Sequence, residues 1–312
     1  MSIKVAVIQK PPVMLDRERT VAAAIELLEE VVREGAVLAV FPEAYVPGYP
    51  TWVWRLRPGK DMATSNAIHA LLRQGAVDLA AGHLQPLQDA AGRLGVTVVI
   101  GINEIDSKYS GTTLFNTVVV IGPDGQVLNR HRKLMPTNPE RMVWGSGDAT
   151  GLKVVDTPAG RVGALICWES YMPLARYALY AQGMEIYVNP TWDSGETWVA
   201  TLRHIAKEGG CWVISTSTAL QGSDIPESLP DHEALFTADE WINDGGAVVI
   251  RPDGSVAVGP LVREKGILYA EIDVEMARRA RRSLDVAGHY ARPDIFSLSV
   301  DRRPRPPALF TD

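Results

Sequence analysis

The sequence of 312 residues predicts an α/β fold with mixed sheets. Short apolar runs of strand length alternate with longer amphipathic patterns along the chain, which is typical of βα units. Two pairs of strand-like runs are each separated by a turn containing Gly, Pro and Asp, which predicts β-hairpins and therefore antiparallel pairs. Units of both kinds in one chain favour sheets that mix parallel and antiparallel strands.

In the N-terminal half, strands are indicated by short runs rich in Val, Ile and Leu, and helices by apolar residues that recur with the helical period. Gly122-Pro123-Asp124-Gly125 is the turn of the first predicted hairpin. The predicted strands are 3–8, 37–41, 97–101, 113–121 and 126–131, and the predicted helices are 17–34 and 83–94.

The C-terminal half continues the alternation and contains the second hairpin, with its turn at Arg251-Pro252-Asp253-Gly254. The predicted strands are 162–167, 186–189, 211–217, 246–250, 255–258 and 267–272, and the predicted helices are 174–182, 198–208 and 274–283. Two segments, 45–61 and 221–239, show no regular period. Loops of this length in a compact domain are usually functional or poorly ordered.

No low-complexity boundary divides the chain, so we expect one domain over residues 1–291 and a tail at 292–312. Pro304, Pro306 and Pro307 prevent regular structure in the tail. The tail also carries more apolar surface than a segment left free in water would tolerate. It therefore either folds back on its own domain or packs on a neighbouring subunit. The apolar tail residues are Ile295, Phe296, Leu298, Val300, Leu309 and Phe310.

The composition argues against several classes of function. The net charge of −6 gives no support for a nucleic-acid partner. The longest apolar runs are far too short to cross a bilayer, so no membrane partner is expected. Met1 to Lys4 lead directly into a strand without an apolar signal region, which predicts a cytoplasmic protein. In that compartment a disulfide between Cys167 and Cys211, the two cysteines, would be rare.

The stretch from Arg161 to Ser170 carries the strongest functional signal. Cys167 follows a short apolar run that predicts a buried strand, and a helical pattern begins soon after it at Pro173. A thiol at such a strand-to-helix turn lies where backbone N–H groups can face a developing anion. Taken alone, however, a cysteine in this setting is more often a core residue than a nucleophile.

Two other segments place charged side chains after strand-like runs. Glu43 follows Phe41-Pro42, and Lys133 follows His131-Arg132, with Glu140 seven residues later. Individually, a glutamate or lysine at such a position is usually solvated surface charge, and Glu140 beside Arg141 suits an exposed ion pair. Together with the thiol of the previous segment, they supply the base and the cation that a nucleophilic cysteine needs.

In order and setting, Phe41-Pro42-Glu43, Lys133-Leu134-Met135-Pro136-Thr137 and Cys167-Trp168-Glu169 resemble the motifs of the carbon–nitrogen hydrolases, the nitrilase superfamily. The resemblance extends from Val5 to Pro293. Cys-Trp-Glu, with Gly-His-Tyr-x-Arg-Pro at 288–293, is similar to the true nitrilase branch, whereas amidase branches more usually carry Cys-Tyr-Asp. The resemblance implies an α-β-β-α sandwich that two molecules extend by packing together.

The resemblance also implies an activity, the hydrolysis of an organic nitrile to a carboxylic acid and ammonia. Cys167 would be the nucleophile and Glu43 the base, while Lys133 and the backbone N–H of Trp168 would stabilise negative charge. Glu140 matches the family's second glutamate and is assigned a positioning and proton-handling role beside Lys133. No cofactor is needed, and the histidines show no metal-ligand spacing, so no metal is expected.

The candidate substrate-binding residues lie in two segments at strand ends, where the family has its pocket, and directly after the thiol. Crowded aromatic residues are more often hydrophobic core, but at these positions they favour an apolar, aromatic-lined cleft. Such a cleft suits an aromatic, arylaliphatic or medium aliphatic nitrile better than a charged one. The candidates are Tyr49, Trp52, Trp54, Trp168, Asn189, Pro190, Thr191 and Trp192.

Other functions remain as alternatives. An amidase or carbamoylase would use the same Glu43, Lys133 and Cys167, and a cyanide-converting relative would differ in substrate and product. A non-catalytic scaffold member is expected to lack one of these three residues, and all are present. A papain-like hydrolase is excluded because it needs a histidine base and the sequence shows no Cys-His signature of that class. The resemblance further implies a dimer that extends into larger homo-oligomers, with the tail at a subunit interface.

Overall fold

A computed structural model describes residues 2–108, 110–304, 306, 308 and 311. Two mixed β-sheets pack face to face, and helices cover the outer side of each sheet. This is the predicted α-β-β-α sandwich, and the arrangement places the carboxyl ends of several parallel strands at one edge of the two sheets.

The first sheet has parallel pairing in its middle and antiparallel pairing at both sides. It consists of β1 (Ile3–Ile8), β2 (Ala36–Val40), β3 (Thr97–Ile105), β4 (Leu114–Ile121), β5 (Val127–Arg132) and β13 (Ile267–Ile272). The order across the sheet is β13-β1-β2-β3-β4-β5. The β1–β2 and β2–β3 pairs are parallel, whereas β13–β1, β3–β4 and β4–β5 are antiparallel.

The second sheet repeats this arrangement. It consists of β6 (Val154–Thr157), β7 (Gly160–Ala164), β8 (Ile186–Pro190), β9 (Trp212–Thr216), β10 (Ala219–Gln221), β11 (Trp241–Ile250) and β12 (Val256–Val262). The order is β10-β11-β9-β8-β7-β6, and β12 also pairs with β11. The β7–β8 and β8–β9 pairs are parallel, and the remaining pairs are antiparallel.

Some helix ends coincide with residues that are suited to cap them. The Asp16 side chain accepts a hydrogen bond from Arg19 N at the start of the first helix, and Gly95, with a φ of 66°, ends the third. The helices are α1 (Arg17–Arg33), α2 (Met62–Gly75), α3 (Gln85–Leu94), α4 (Pro173–Tyr180), α5 (Glu196–Gly209), α6 (His232–Leu235) and α7 (Val274–Arg281).

Side-chain alternation along the strands creates the four layers. In β1, Val5 and Val7 lie in the apolar layer between the sheets, whereas Ala6 and Ile8 face the layer that contains Leu28 of α1. The second sheet follows the same rule, since the side of the sheet away from the first one packs on α4 and α5. Period-two alternation in doubly covered strands explains why these runs are almost wholly apolar.

Both predicted hairpins are present as β4–β5 and β11–β12, and the strands of the sandwich lie within a few residues of their predicted positions. Helices α2 and α6 and the short strands β6 and β10 were not predicted. The irregular segments 45–61 and 221–239 pack against each other through a shared apolar cluster. The Arg55 guanidinium also bonds Glu240 at 2.7 and 3.0 Å and lies 4.5 Å from the Phe236 ring centroid.

Candidate active site

Cys167 lies at a sharp turn just beyond β7. The strand ends at Ala164, Ile166 is still extended, and Cys167 has a positive φ of 51° before it begins a short 3₁₀ helix. A non-glycine residue held in the left-handed region costs about 1–3 kcal/mol. The prediction that the strand extends to Cys167 is wrong, because a strand cannot pass through this φ. Contacts around the turn must therefore hold it.

Glu169 is the main brace of this turn. Its buried carboxylate accepts hydrogen bonds from Ile166 N at 2.6 Å and from Leu134 N at 2.7 Å, and it lies 3.0 Å from His131 Nε2. Burial opposes the charged form, but His131 and the two N–H groups outweigh it, so the pKa of Glu169 lies below its ordinary value. The carboxylate ties the Cys167 turn to the loop after β5.

Glu43 projects from a second tight turn, just beyond β2. The next residue, Ala44, has a φ of 49°, and the turn fits because β3 carries Gly101, where a Cβ would lie 2.4 Å from Ala44 N. Glu43 Oε1 accepts hydrogen bonds from Asn116 Nδ2 at 2.7 Å and from Lys133 Nζ at 2.8 Å. Its other oxygen, Oε2, is buried and bonds to no residue that the structure describes.

Lys133 follows β5 directly, and its side chain is fully buried. Its Nζ lies 2.8 Å from Glu43 Oε1 and 2.8 Å from Glu140 Oε2. Glu140 is fixed in turn by Thr137 N, which donates to Oε2 at 2.7 Å, and by Tyr49 OH, which donates to Oε1 at 2.7 Å. One buried ammonium therefore lies between two buried carboxylates.

This cluster shifts the ionisation of each member. Burial, supported by the charge of Glu140 and opposed by Lys133, raises the pKa of Glu43 to about 7. Burial and the Glu43 charge raise the pKa of the Cys167 thiol to about 12, although Lys133 and the Thr191 hydrogen bond act to lower it. Burial disfavours the Lys133 ammonium, but the surrounding negative groups outweigh it, so the pKa of Lys133 lies above its ordinary value. Between about pH 7 and pH 12 the resting site therefore holds a neutral thiol and an ionised Glu43.

A cleft of about 230 Å³ leads from the surface to the thiol. The Tyr49 and Trp192 rings are stacked, with 4.1 Å between their centroids and an angle of 3° between their planes. Trp54 Nε1 donates a hydrogen bond to Tyr49 OH at 3.0 Å. On the other side, Trp168 Nε1 donates to Asp193 Oδ2 at 2.7 Å. The lining residues are Tyr49, Trp54, Thr137, Glu140, Cys167, Trp168, Trp192 and Asp193. Aromatic walls favour an apolar group, and the two carboxylates disfavour an anion.

The residues proposed from the sequence to bind substrate occupy different places. Tyr49, Trp54, Trp168 and Trp192 line the cleft, in keeping with an aromatic-lined pocket. Trp52 does not reach it. Only 1% of Trp52 is exposed, and it packs in the apolar cluster with Ile68 and Leu72 of α2, so its position is that of a core residue.

Three more of these residues lie at the end of β8 and shape the site from behind. Asn189 and Pro190 are buried, and Asn189 Nδ2 donates to Leu165 O at 2.8 Å and to Ser170 Oγ at 2.9 Å. Asn189 thereby supports the backbone of the Cys167 turn, and neither residue lines the cleft. Thr191 is also buried, and its hydroxyl lies against the thiol rather than on the cleft wall.

Sequence reasoning missed four residues that complete the site: Asn116, His131, Glu169 and Asp193. Glu169 lies within the Cys-Trp-Glu motif, and its place three residues after Ile166 was a usable signal for a brace. Asn116 lies far from the motifs along the chain, and only strand pairing between β4 and β5 brings it beside Lys133.

Over the described ranges, no cluster of three or more His, Cys, Asp or Glu side chains is suited to hold a metal ion. The thiols of Cys167 and Cys211 are both free and buried. Among the helices of the described chain, none combines the length and the apolar character needed to span a bilayer.

Comparison with solved structures identifies the same fold in other proteins. The chain aligns with Nit3 of Saccharomyces cerevisiae, a member of the nitrilase superfamily, with a TM-score of 0.69 at 20% identity, covering 93% of this chain and 96% of that one. It aligns with the NitFhit protein of Caenorhabditis elegans with a TM-score of 0.71 at 19% identity, covering 98% and 69%.

Comparison with known sequences identifies relatives of higher identity. The chain is 41% identical to an aliphatic nitrilase of Sinorhizobium fredii, over 97% of this chain and 96% of that protein. It is 38% identical to the bifunctional nitrilase/nitrile hydratase NIT4A of Lupinus angustifolius, over 99% and 89%. The carbon–nitrogen hydrolase family model matches residues 4–282. The fold, the buried Glu43, Lys133 and Cys167 and these matches lead to one conclusion: the chain belongs to the carbon–nitrogen hydrolase family.

Proposed function

We propose that this protein is a nitrilase, which hydrolyses an organic nitrile to the carboxylic acid and ammonia. The observation that carries the proposal is the buried cluster of Glu43, Lys133 and Glu140 behind a strained, cleft-lining Cys167. The choice of nitriles over amides is supported by the relatives at 37–41% identity, which are named nitrilases.

In the proposed reaction, Glu43 takes the Cys167 proton while Sγ attacks the nitrile carbon to form a thioimidate. Lys133 and the backbone N–H of Trp168 stabilise the charge that develops on the nitrile nitrogen. A water activated by Glu43 adds to the carbon, and the tetrahedral adduct expels ammonia to leave a thioester. A second water hydrolyses the thioester, which releases the acid and returns the electron pair of the C–S bond to Sγ.

Glu140 has a positioning role in this scheme. Its Oε2 orients Lys133 Nζ, and its Oε1 accepts the Tyr49 hydroxyl, so it connects the ammonium to the aromatic wall of the cleft. Its negative charge also supports the raised pKa of Glu43, which makes Glu43 a better proton acceptor near neutral pH.

The cleft favours a neutral substrate. Four aromatic side chains line it, and a volume of about 230 Å³ suits an aliphatic or arylaliphatic nitrile of modest size. Amide is a second candidate product, because several relatives at 37–38% identity are named bifunctional nitrilase/nitrile hydratases. Amide would form if the tetrahedral adduct expelled the thiolate before ammonia.

The proposal is tested by incubating the purified protein with neutral aliphatic, arylaliphatic and aromatic nitriles and with the matching amides. We expect ammonia and the acid from at least one neutral nitrile, and slower or no ammonia release from its amide. Chromatography of the products gives the ratio of acid to amide. Ammonia released from amides but from none of the nitriles would instead identify an amidase.

We further propose that residues 1–291 form the hydrolase domain and that the tail at 292–312 lies at a subunit interface of a homo-oligomer. Ile295 and Phe296 support this, because 57% and 76% of their surfaces are exposed in the single chain. Leu298 and Val300 are also exposed, whereas Leu309 and Phe310 lie outside the described residues. A cytoplasmic location is proposed because the mechanism needs a free thiol and both cysteines are unpaired.

Truncation after Arg292 is expected to shrink the assembly and lower activity, because it removes the apolar surface that a neighbouring subunit would cover. Size-exclusion chromatography with light scattering gives the mass, and ammonia release gives the activity. A full-length variant carrying Ile295→Ser and Phe296→Ser keeps the chain length and should show the same smaller assembly. A wild-type protein that is a fully active monomer would rule out the interface.

A further inference from the structure

Thr191 lies directly behind the reactive sulfur. Its side chain is buried, and Oγ1 is 3.2 Å from Cys167 Sγ. Thr191 follows β8 and continues its parallel pairing with β9, since Thr191 N donates to Thr216 O at 2.9 Å. The hydroxyl is therefore carried by backbone that is fixed at the centre of the second sheet.

The hydrogen-bond partners of the hydroxyl indicate where its hydrogen points. Asp193 N donates to Thr191 Oγ1 at 2.9 Å, so this oxygen already acts as an acceptor toward the backbone. The hydroxyl proton must point elsewhere, and within the described residues the partner in reach is Cys167 Sγ. Thr191 consequently donates to the sulfur, and the turn at Asp193 holds it in that orientation.

The sulfur needs such a donor because the nearby cation is already occupied. Lys133 Nζ is bonded at 2.8 Å to both Glu43 and Glu140, so its positive charge is largely balanced before the thiolate forms. When Glu43 takes the thiol proton, its carboxyl becomes neutral, but the Glu140 carboxylate still balances the Lys133 charge. Burial disfavours the thiolate, and the Thr191 hydrogen bond acts in the opposite direction on the pKa of Cys167.

We propose that Thr191 is a catalytic residue whose hydroxyl stabilises the Cys167 thiolate by a hydrogen bond. In the proposed nitrilase reaction, on which this role rests, Sγ carries negative charge twice. The first time is when Glu43 takes its proton and the S–C bond forms, and the second is when the S–C bond of the thioester adduct breaks and its electron pair returns to sulfur. The same donor serves both steps.

The test compares Thr191→Val, which keeps the shape and removes the hydroxyl, with Thr191→Ser, which keeps the hydroxyl. The readout is the second-order rate of Cys167 alkylation by iodoacetamide at one fixed pH, followed by mass spectrometry of the Cys167 peptide. A hydrogen bond to a charged group changes an equilibrium constant by about tenfold to a hundredfold. Thr191→Val should therefore slow the alkylation of Cys167 by that factor. Thr191→Ser should restore most of the rate.

Thr201→Val is the matched control, since Thr201 lies on α5 and bonds only at the surface to Tyr171 and its own helix. It should alkylate like the wild type. If Thr191→Val does not fold, Thr191→Ala makes the same comparison. Equal alkylation rates in wild type and the folded hydroxyl-free variant would overturn the proposal. Alkylation requires no nitrile turnover, so this result is independent of whether wild type hydrolyses nitriles.

Discussion

Replacing Cys167 by alanine is expected to abolish nitrile hydrolysis while the protein stays folded. Without the thiol no thioimidate can form, and removal of a covalent nucleophile typically costs at least about 10⁴-fold in rate. The fold should survive because the turn is held by contacts to its backbone, from Glu169 to Ile166 N and from Asn189 to Leu165 O. Alanine tolerates the positive φ no worse than cysteine does.

Cys211 provides the matched control. It is equally buried, and burial raises the pKa of its thiol to about 12, as for Cys167. However, Cys211 packs in the apolar layer beneath α4 and α5, away from the cleft. Cys211→Ala should therefore keep most of the activity. Ammonia release by Cys167→Ala within tenfold of wild type would refute the nucleophile assignment, provided that circular dichroism shows both variants folded.

The similarity of the two thiols shows what the sequence alone cannot distinguish. Cys167 follows an apolar strand and Cys211 precedes one. The local pattern therefore does not separate a core cysteine from a catalytic candidate. The difference lies in the residues that long-range strand pairing brings near each thiol. β4 pairs with β5, which places Asn116 beside Lys133, and the parallel pairing of β2 with β3 allows the tight turn after Glu43. Motif order along the chain pointed to residues that the fold brings together, but not to their contacts.

The regular part of the fold was predictable for a simple reason. Doubly covered strands such as β1 are apolar on both faces, and α1 carries its apolar residues on one side, so their period determines their type. Helix α2 was missed because its burial depends on the segments 45–61 and 221–239, with which it shares an apolar cluster. Trp52 was misplaced for the same reason, since tertiary packing and not local pattern decides which tryptophan faces the cleft.

Glu43→Gln is expected to lower kcat/KM about a thousandfold, because a positioned general base typically contributes ~10²–10⁴-fold. Glutamine has the same shape and keeps a carbonyl oxygen for Lys133 and Asn116, so the loss reports the missing proton acceptor. Wild-type kcat/KM should also rise with pH through about 7, because Glu43 must be ionised to act as a base and burial raises its pKa to that value. The variant should lose this rise.

Glu104→Gln separates this loss from the general effect of removing a buried carboxylate. Glu104 is as buried as Glu43 and lies in β3 of the same sheet, but it pairs with Arg132 and Arg130 outside the cleft. Its replacement should leave both the rate and the pH profile near those of wild type. If Glu43→Gln kept the ionisation near pH 7, the titrating group would have to be another residue. A folded Glu43→Gln with wild-type kcat/KM would contradict the assignment of Glu43 as the base, because the glutamine amide cannot accept the thiol proton.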